Sequence, residues 1–170
     1  MRDIVPDETI LGLLAHRARH GYELVDVFQA QSQLGRVWSM STSQIYAVLK
    51  RLEQQHLIMG EQAQSETAPT RTVYRLTSEG ERRLQAWLLA EQVSPSVRRI
   101  RVEFLSRLYI ARLLSVDTVP IVAAQRRICE LEMERLREKR RYAHGAVEQL
   151  ALDFMIAQVE AILVWIARCE

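Results

Sequence analysis

The stretch "SMSTSQIYAVLKRLEQQHLI", Ser39 to Ile58, crowds Ser41, Thr42, Ser43 and Gln44 onto the front of one apolar-periodic segment. Tyr46, Lys50 and Arg51 follow on the same segment. Ile45, Val48, Leu49 and Leu52 recur at steps of three, one and three, which predicts an amphipathic helix with those four buried. Two readings of the polar front compete. Ser41 is a favoured N-cap in any helix. The same side chains on the first turn of a helix lying in a major groove would reach base edges, with Gln44 able to pair bidentately with adenine. Tyr46, Lys50 and Arg51 would then meet phosphates, and spacing alone leaves the choice open.

No other constellation offers chemistry. His16 and His20 are four residues apart in "HRARH", but no Asp, Glu or Cys completes a zinc pattern. Cys129 and Cys169 are isolated, which points to reduced thiols and neither a disulfide framework nor a metal site. There is no Gly-rich phosphate loop, no nucleophile elbow and no HExxH. The reading is therefore no enzyme, no cofactor and no metal.

The 170 residues are 48% hydrophobic and 26% charged, a globular composition, with six Gly and four Pro favouring long helices. The net charge of +2 argues little. Residues 1–90 carry ten basic and ten acidic side chains, so a nucleic-acid partner has to be argued from local placement. The N-terminus lacks a secretory pattern, and the longest uninterrupted apolar run near the C-terminus is Ala161 to Ala167. The expectation is a soluble, cytoplasmic chain with no membrane partner.

The elements that must position the polar front read as follows. Asp7 caps a first helix through "ETILGLLAHR"; "ARHG" interrupts it, and "YELVDVFQAQ" forms a second. A loop holding Gly35 leads to Trp38 and the capped third helix. "LIMGEQA" and "RTVYRLT" predict a two-stranded hairpin around "QSETAP", and Thr77 or Ser78 opens a linking helix. "VSPS", Val93 to Ser96, is the domain boundary, giving domains 1–92 and 97–170. Three further helices follow: Val97 to Ser115, Thr118 to Ala143 and Ala146 to Arg168. The fold class is mainly α, a winged helix-turn-helix of three helices, a two-stranded wing and a linking helix, joined to a helical C-terminal domain.

The last helix is apolar on two faces, one of Leu150, Phe154, Ala157, Ala161 and Trp165, the other of Leu152, Met155, Val159, Ile162 and Ile166. Two companion helices are too few to cover both, so a homodimer interface is expected. "RRICELEMERLREKRRYAH" interleaves acids with its arginines, Glu132 with Arg135 for example, and reads as a solvated face.

"HGYEL" at His20 to Leu24, the 39–58 stretch, and "TVYRLTSEGERRL" at Thr72 to Leu84 together resemble three consecutive signatures of the PadR family of bacterial transcriptional regulators, over about residues 7–90. The resemblance implies a winged helix-turn-helix that reads a pseudo-palindromic double-stranded DNA operator as a homodimer, usually as a repressor. It favours the base-reading role of the polar front. The DNA-binding set it suggests is Tyr22, Ser41, Thr42, Ser43, Gln44, Tyr46, Lys50 and Arg51, with Arg71 on a wing between Gln62 and Val73. Thr42 and Ser43 replace a common Pro-Gly, and His56 stands where Gly is common, which demands a left-handed residue at some cost.

"VEFLSRLYIARLL" and "EAILVWIARCE" more loosely resemble the virulence-activator-like helical domain of longer members. That implies dimerisation through Leu105, Leu108, Phe154, Val159, Ile162, Trp165 and Ile166. It also leaves room for a small-molecule effector among Phe104, Tyr109, Phe154 and Trp165. An adaptor module whose winged helix docks protein is the alternative, supported by the zero charge of residues 1–90.

Overall fold

The computed structural model describes residues 4–31, 34–65 and 68–169; for 63–65 and 68–71 the description extends to the backbone only. The chain opens with α1 (Asp7–His16), the two-residue strand β1 (Arg19–His20) and α2 (Gly21–Gln29). A four-residue helix, α3 (Leu34–Val37), precedes α4 (Thr42–Gln54). Strands β2 (Ile58–Ser65) and β3 (Ala68–Leu76) and helix α5 (Ser78–Leu88) complete the N-terminal half. Two elements differ from the sequence reading. The loop around Gly35 is helical, closed by the Trp38 amide on the Leu34 carbonyl. The "ARHG" interruption is a strand, pairing Arg19 with Tyr74 and His20 with Val73.

The sheet is therefore three-stranded and antiparallel, in the order β1-β3-β2. Its hairpin runs further than the alternation suggests, from Ile58 opposite Leu76 to Ser65 opposite Ala68, with an irregularity between Ala63 and Ser65. His56 supplies the left-handed residue at the exit of α4, with φ 57°. That turn lets the Leu57 amide return to the Leu52 carbonyl and start the strand.

Helix α1 is the centre of the N-terminal core. Ile10, Leu11, Leu13 and Leu14 are buried against Leu24, Phe28, Ile45, Leu49 and Leu84. Asp7 is not its cap. Pro6 holds that position without a side-chain bond, and Asp7 is the first helical residue, buried for a reason given below. Thr77 caps α5 by accepting from the Gly80 amide.

Beyond residues 89–96 come α6 (Val97–Arg99), a π-helical turn (Ile100–Phe104) and α7 (Leu105–Leu113), one continuous helical rod. Then follow α8 (Val119–Tyr142), with Pro120 in its first turn, and α9 (Ala146–Ile166). Packing crosses the sequence break at 93–96. Helix α7 lies on α1 so closely that a Cβ on Gly12 would sit 2.3 Å from an Ile110 methyl. The Trp38 indole donates to Ser106 Oγ over 2.9 Å, tying α3 to α7. The buried Arg107 guanidinium donates to the Leu88 and Ala90 carbonyls at 2.6 and 2.9 Å, and Gln125 Nε2 donates to the Ser94 carbonyl at 3.0 Å. The connecting segment is thus pinned from both α7 and α8.

Helices α8 and α9 pair antiparallel, stapled by Arg140–Asp153 (2.7 Å) and Arg137–Glu160 (3.1 Å). The α9 face of Leu152, Val159 and Ile166 is buried within the chain. Its other face, Val147, Leu150, Phe154 and Val164, is exposed. By length and composition α9 would also suffice to cross a membrane, which a count of uninterrupted apolar runs had not suggested.

Candidate nucleic-acid interface

The crowded front of α4 is first of all a cap. Ser41 Oγ accepts the Gln44 amide at 3.3 Å, and Gln44 Oε1 accepts the Ser41 amide at 2.8 Å, a reciprocal capping box. Ser43 Oγ lies 3.0 Å from Ser41 Oγ, and Thr42 Oγ1 accepts from Gln29 Nε2 of α2 at 3.1 Å. All four side chains remain exposed. They are held by each other and by α2, and Gln44 keeps its amide NH2 free of the box.

Along α4 the outer face continues through Tyr46, Ala47 and Lys50, all exposed. Lys50 has no carboxylate partner among the described residues. Tyr46 lies over Gly21, where a Cβ would meet its ring at 2.7 Å, so the absence of a side chain there seats the tyrosine. Tyr22, exposed on α2, stacks on the His20 ring with centroids 5.3 Å apart. His20 begins α2 in a second capping box, in which its amide donates to Glu23 at 2.7 Å. That bond, ahead of the Arg17 charge, holds the Glu23 carboxyl below its ordinary range. Burial, with help from Glu53 and Tyr46, pushes the Tyr74 phenol up.

Arg51 is placed differently from its neighbour Lys50. Its guanidinium grips Asp7, whose carboxylate is only 3% exposed. Arg83 of α5 reaches the same carboxylate at 3.5 Å, Glu8 at 2.8 Å and Gln55 at 3.1 Å. This network joins the start of α1, the end of α4 and the middle of α5. Arg51 therefore orients the helix, and Asp7, which sequence reasoning took for a cap, is its anchor. The Arg71 side chain lies outside the described residues; its backbone pairs with Ala63 in the wing.

The residues expected for dimerisation and for an effector are not brought together as sets. Leu108, Val159 and Ile166 are buried within the chain, and Leu105, Ile162 and Trp165 are half-buried. Phe154 alone of that set is exposed, at 64%. Phe104 is buried edge-on against Trp165 at 5.9 Å, and Tyr109 is half-buried against the same core. Phe154 does not join them. Phe104 lines a cavity of about 230 Å³ with Trp87, Glu103 and Arg107, and a larger cleft of about 820 Å³ lies between residues 88–93 and α8, lined by Arg107, Ile121, Arg127 and Leu131. Arg107 Nε has no hydrogen-bond partner among the described residues, and burial holds the guanidinium below the usual arginine range. No group of three or more His, Cys, Asp or Glu side chains among the described residues could hold a metal.

A helix with an exposed polar and basic face, seated on a three-helix core and flanked by a two-stranded wing, defines a winged helix-turn-helix protein. Residues 10–86 match the family described as "Transcriptional regulator PadR-like family". That match takes in 77 of the 170 residues. Over 106 residues it is 33% identical to the "Negative transcriptional regulator PadR" of Bacillus subtilis (strain 168), covering 62% of this chain and 56% of that relative's length. The chain thus spans little more than half of the curated relative it matches. Its fold is similar to that of Bacillus subtilis PadR crystallised in complex with operator DNA, with a TM-score of 0.51 and 22% identity over 98% of this chain and 97% of the other.

Proposed function

We propose that the chain is a homodimeric, sequence-specific DNA-binding repressor of transcription, not an enzyme, released from its operator by an effector. The carrying observation is the exposed α4 face of Ser43, Gln44, Tyr46 and Lys50, held rigidly by two capping boxes and the Asp7 network. In this reading α4 enters the major groove and Lys50 and Tyr46 meet phosphates, while Ser43 and the free amide of Gln44 face bases. Tyr22 and the wing, with Arg71, grip the flanks. The protein works in the cytoplasm.

We divide the chain functionally at 93–96, with reading in 1–92 and dimerisation in 97–170. The second copy covers the exposed α9 face of Leu150 and Phe154. Of the set expected from the sequence, Phe154 lies on this open face. An effector acts through the cleft between residues 88–93 and α8, since that segment carries α5 on one side and is pinned by Arg107 on the other.

The test uses the DNA immediately upstream of the reading frame in gel shifts. Gln44→Glu keeps the capping box, because Glu serves at the same position, but replaces the base-facing amide. Lys50→Ala removes an exposed charge. Both are expected to weaken specific binding about tenfold or more, in the range of one lost base or phosphate contact. Unchanged affinity and preference in both would remove α4 as the reading element. The balanced charge of residues 1–90 favours a second reading, a protein-docking winged helix. Binding that is insensitive to salt would select it.

A further inference from the structure

Helix α4 has two flanks. On one, Tyr46 faces Gly21, and Glu53 Oε1 accepts the Gly60 amide of the hairpin at 3.0 Å, so the wing stands on that side. On the other, Gln44, Ala47 and Arg51 form one wall of a cleft of about 500 Å³. Its opposite wall is Arg98 and Arg101, from α6 and the π-helical turn, with Trp38 and Val102 between. Three arginines line the cleft, and among the described residues no acidic side chain does.

The three arginines are not equivalent. Arg51 spends its charge on Asp7. Arg99, between the other two in sequence, is turned to Glu103 at 2.7 Å. Arg98 and Arg101 are exposed and pair with no carboxylate among the described residues. An unpaired cation on a folded surface is ordinary. Two of them, lining one cleft beside the face that reads DNA, place positive charge where the second strand's phosphates would run. The π-helical turn contributes to this. It inserts a wider turn between α6 and α7, and such turns are frequent at functional sites.

We propose that Arg98 and Arg101 contact the DNA backbone on the flank of α4 opposite the wing, so that each reading helix is bracketed by two phosphate clamps. This rests on the DNA-binding reading above. It assigns a DNA contact to the helical region beyond 97 and leaves sequence choice to α4. A phosphate clamp adds affinity uniformly across sequences, and each contact adds about 0.9 to the slope of log K against log salt.

The experiment measures anisotropy of a fluorescent mixed-sequence duplex and of the upstream DNA over a salt series. It compares the wild-type chain with the Arg98→Gln/Arg101→Gln double variant, with Arg99→Gln as a control. Circular dichroism melts check that these surface changes leave the fold intact. The double variant is expected to flatten the slope by about 1.8 per bound protomer on both duplexes, with the ratio of the two affinities unchanged. Arg99→Gln is expected to leave the slope as it was. A steep wild-type slope that the double variant does not alter overturns the clamp and leaves DNA binding standing. A wild-type chain without salt-dependent duplex binding overturns the DNA reading itself, and the clamp with it.

Discussion

The Asp7 network makes a quantitative claim on stability. Removing Asp7 strands two guanidiniums. Breaking a fully buried ion pair costs about 3–5 kcal/mol, and an exposed one under about 1 kcal/mol. Here the acid is buried but the Arg51 and Arg83 side chains are 40% and 34% exposed, so both cations can turn to water when the acid is gone. That places Asp7→Ala between the limits, at about 2 kcal/mol, including a few tenths from a negative charge on the first turn of α1. A double-mutant cycle with Arg51→Ala isolates the pair. The coupling expected is about 1 kcal/mol, because Arg83 still holds the carboxylate when Arg51 is removed. Urea unfolding at fixed protein concentration reads it as a shift in midpoint at constant slope. A coupling below about 0.3 kcal/mol, within additivity, would refute the view that Arg51 is committed to Asp7 and return it to the phosphate-binding set.

Two other outcomes follow from geometry already described. Phe154→Glu places a charge on the exposed face of α9 and is expected to give a helical monomer by sizing chromatography and circular dichroism; a persistent dimer would move the subunit interface off that face. The α2 capping box should show its own acid sensitivity. The Glu23 carboxyl is held below its ordinary value of 4.5, first by the His20 amide. Its charged form thus contributes stability that is full above that value and is lost as pH falls through the lowered folded value. Glu23→Gln should remove this pH-dependent part, so the stability difference between the two proteins is flat near neutrality and shrinks in acid. A difference independent of pH would mean that charge plays no part in the cap.

Several of these features were readable from residue order alone. The run Ser41-x-x-Gln44 before an apolar stripe is a capping-box pattern, and the stripe itself fixed which face of α4 is outside. The positive φ at His56 followed from the resemblance, which puts a common Gly at that position. Strand β1 could not be read, because two residues have no alternation and pair only with β3, more than fifty positions away. Separations of 44 and 68 positions likewise hid Asp7 from Arg51 and Trp38 from Ser106, since periodicity reports which face is buried and not what lies across it. It also explains the dimer residues. Both α9 faces are apolar in sequence, and the packing of α8, α6 and the π-helical turn decides that Val159 and Ile166 turn inward while Phe154 is left outside. Arg98 and Arg101 gave no signal, being ordinary exposed arginines until the cleft beside α4 was seen.

The seating of Ile110 against Gly12 bears on modularity. DNA-reading and sensing halves of regulators are commonly imagined as interchangeable cassettes joined by a tether. Here the connecting segment is fastened at both ends, and the first helical rod beyond Pro95 is part of the hydrophobic core of the N-terminal half. A chimera joined at the Pro95 break would leave α1 with an open seam. The transplantable unit runs through Leu113, so an exchange of the C-terminal helices has to be grafted at the turn before α8.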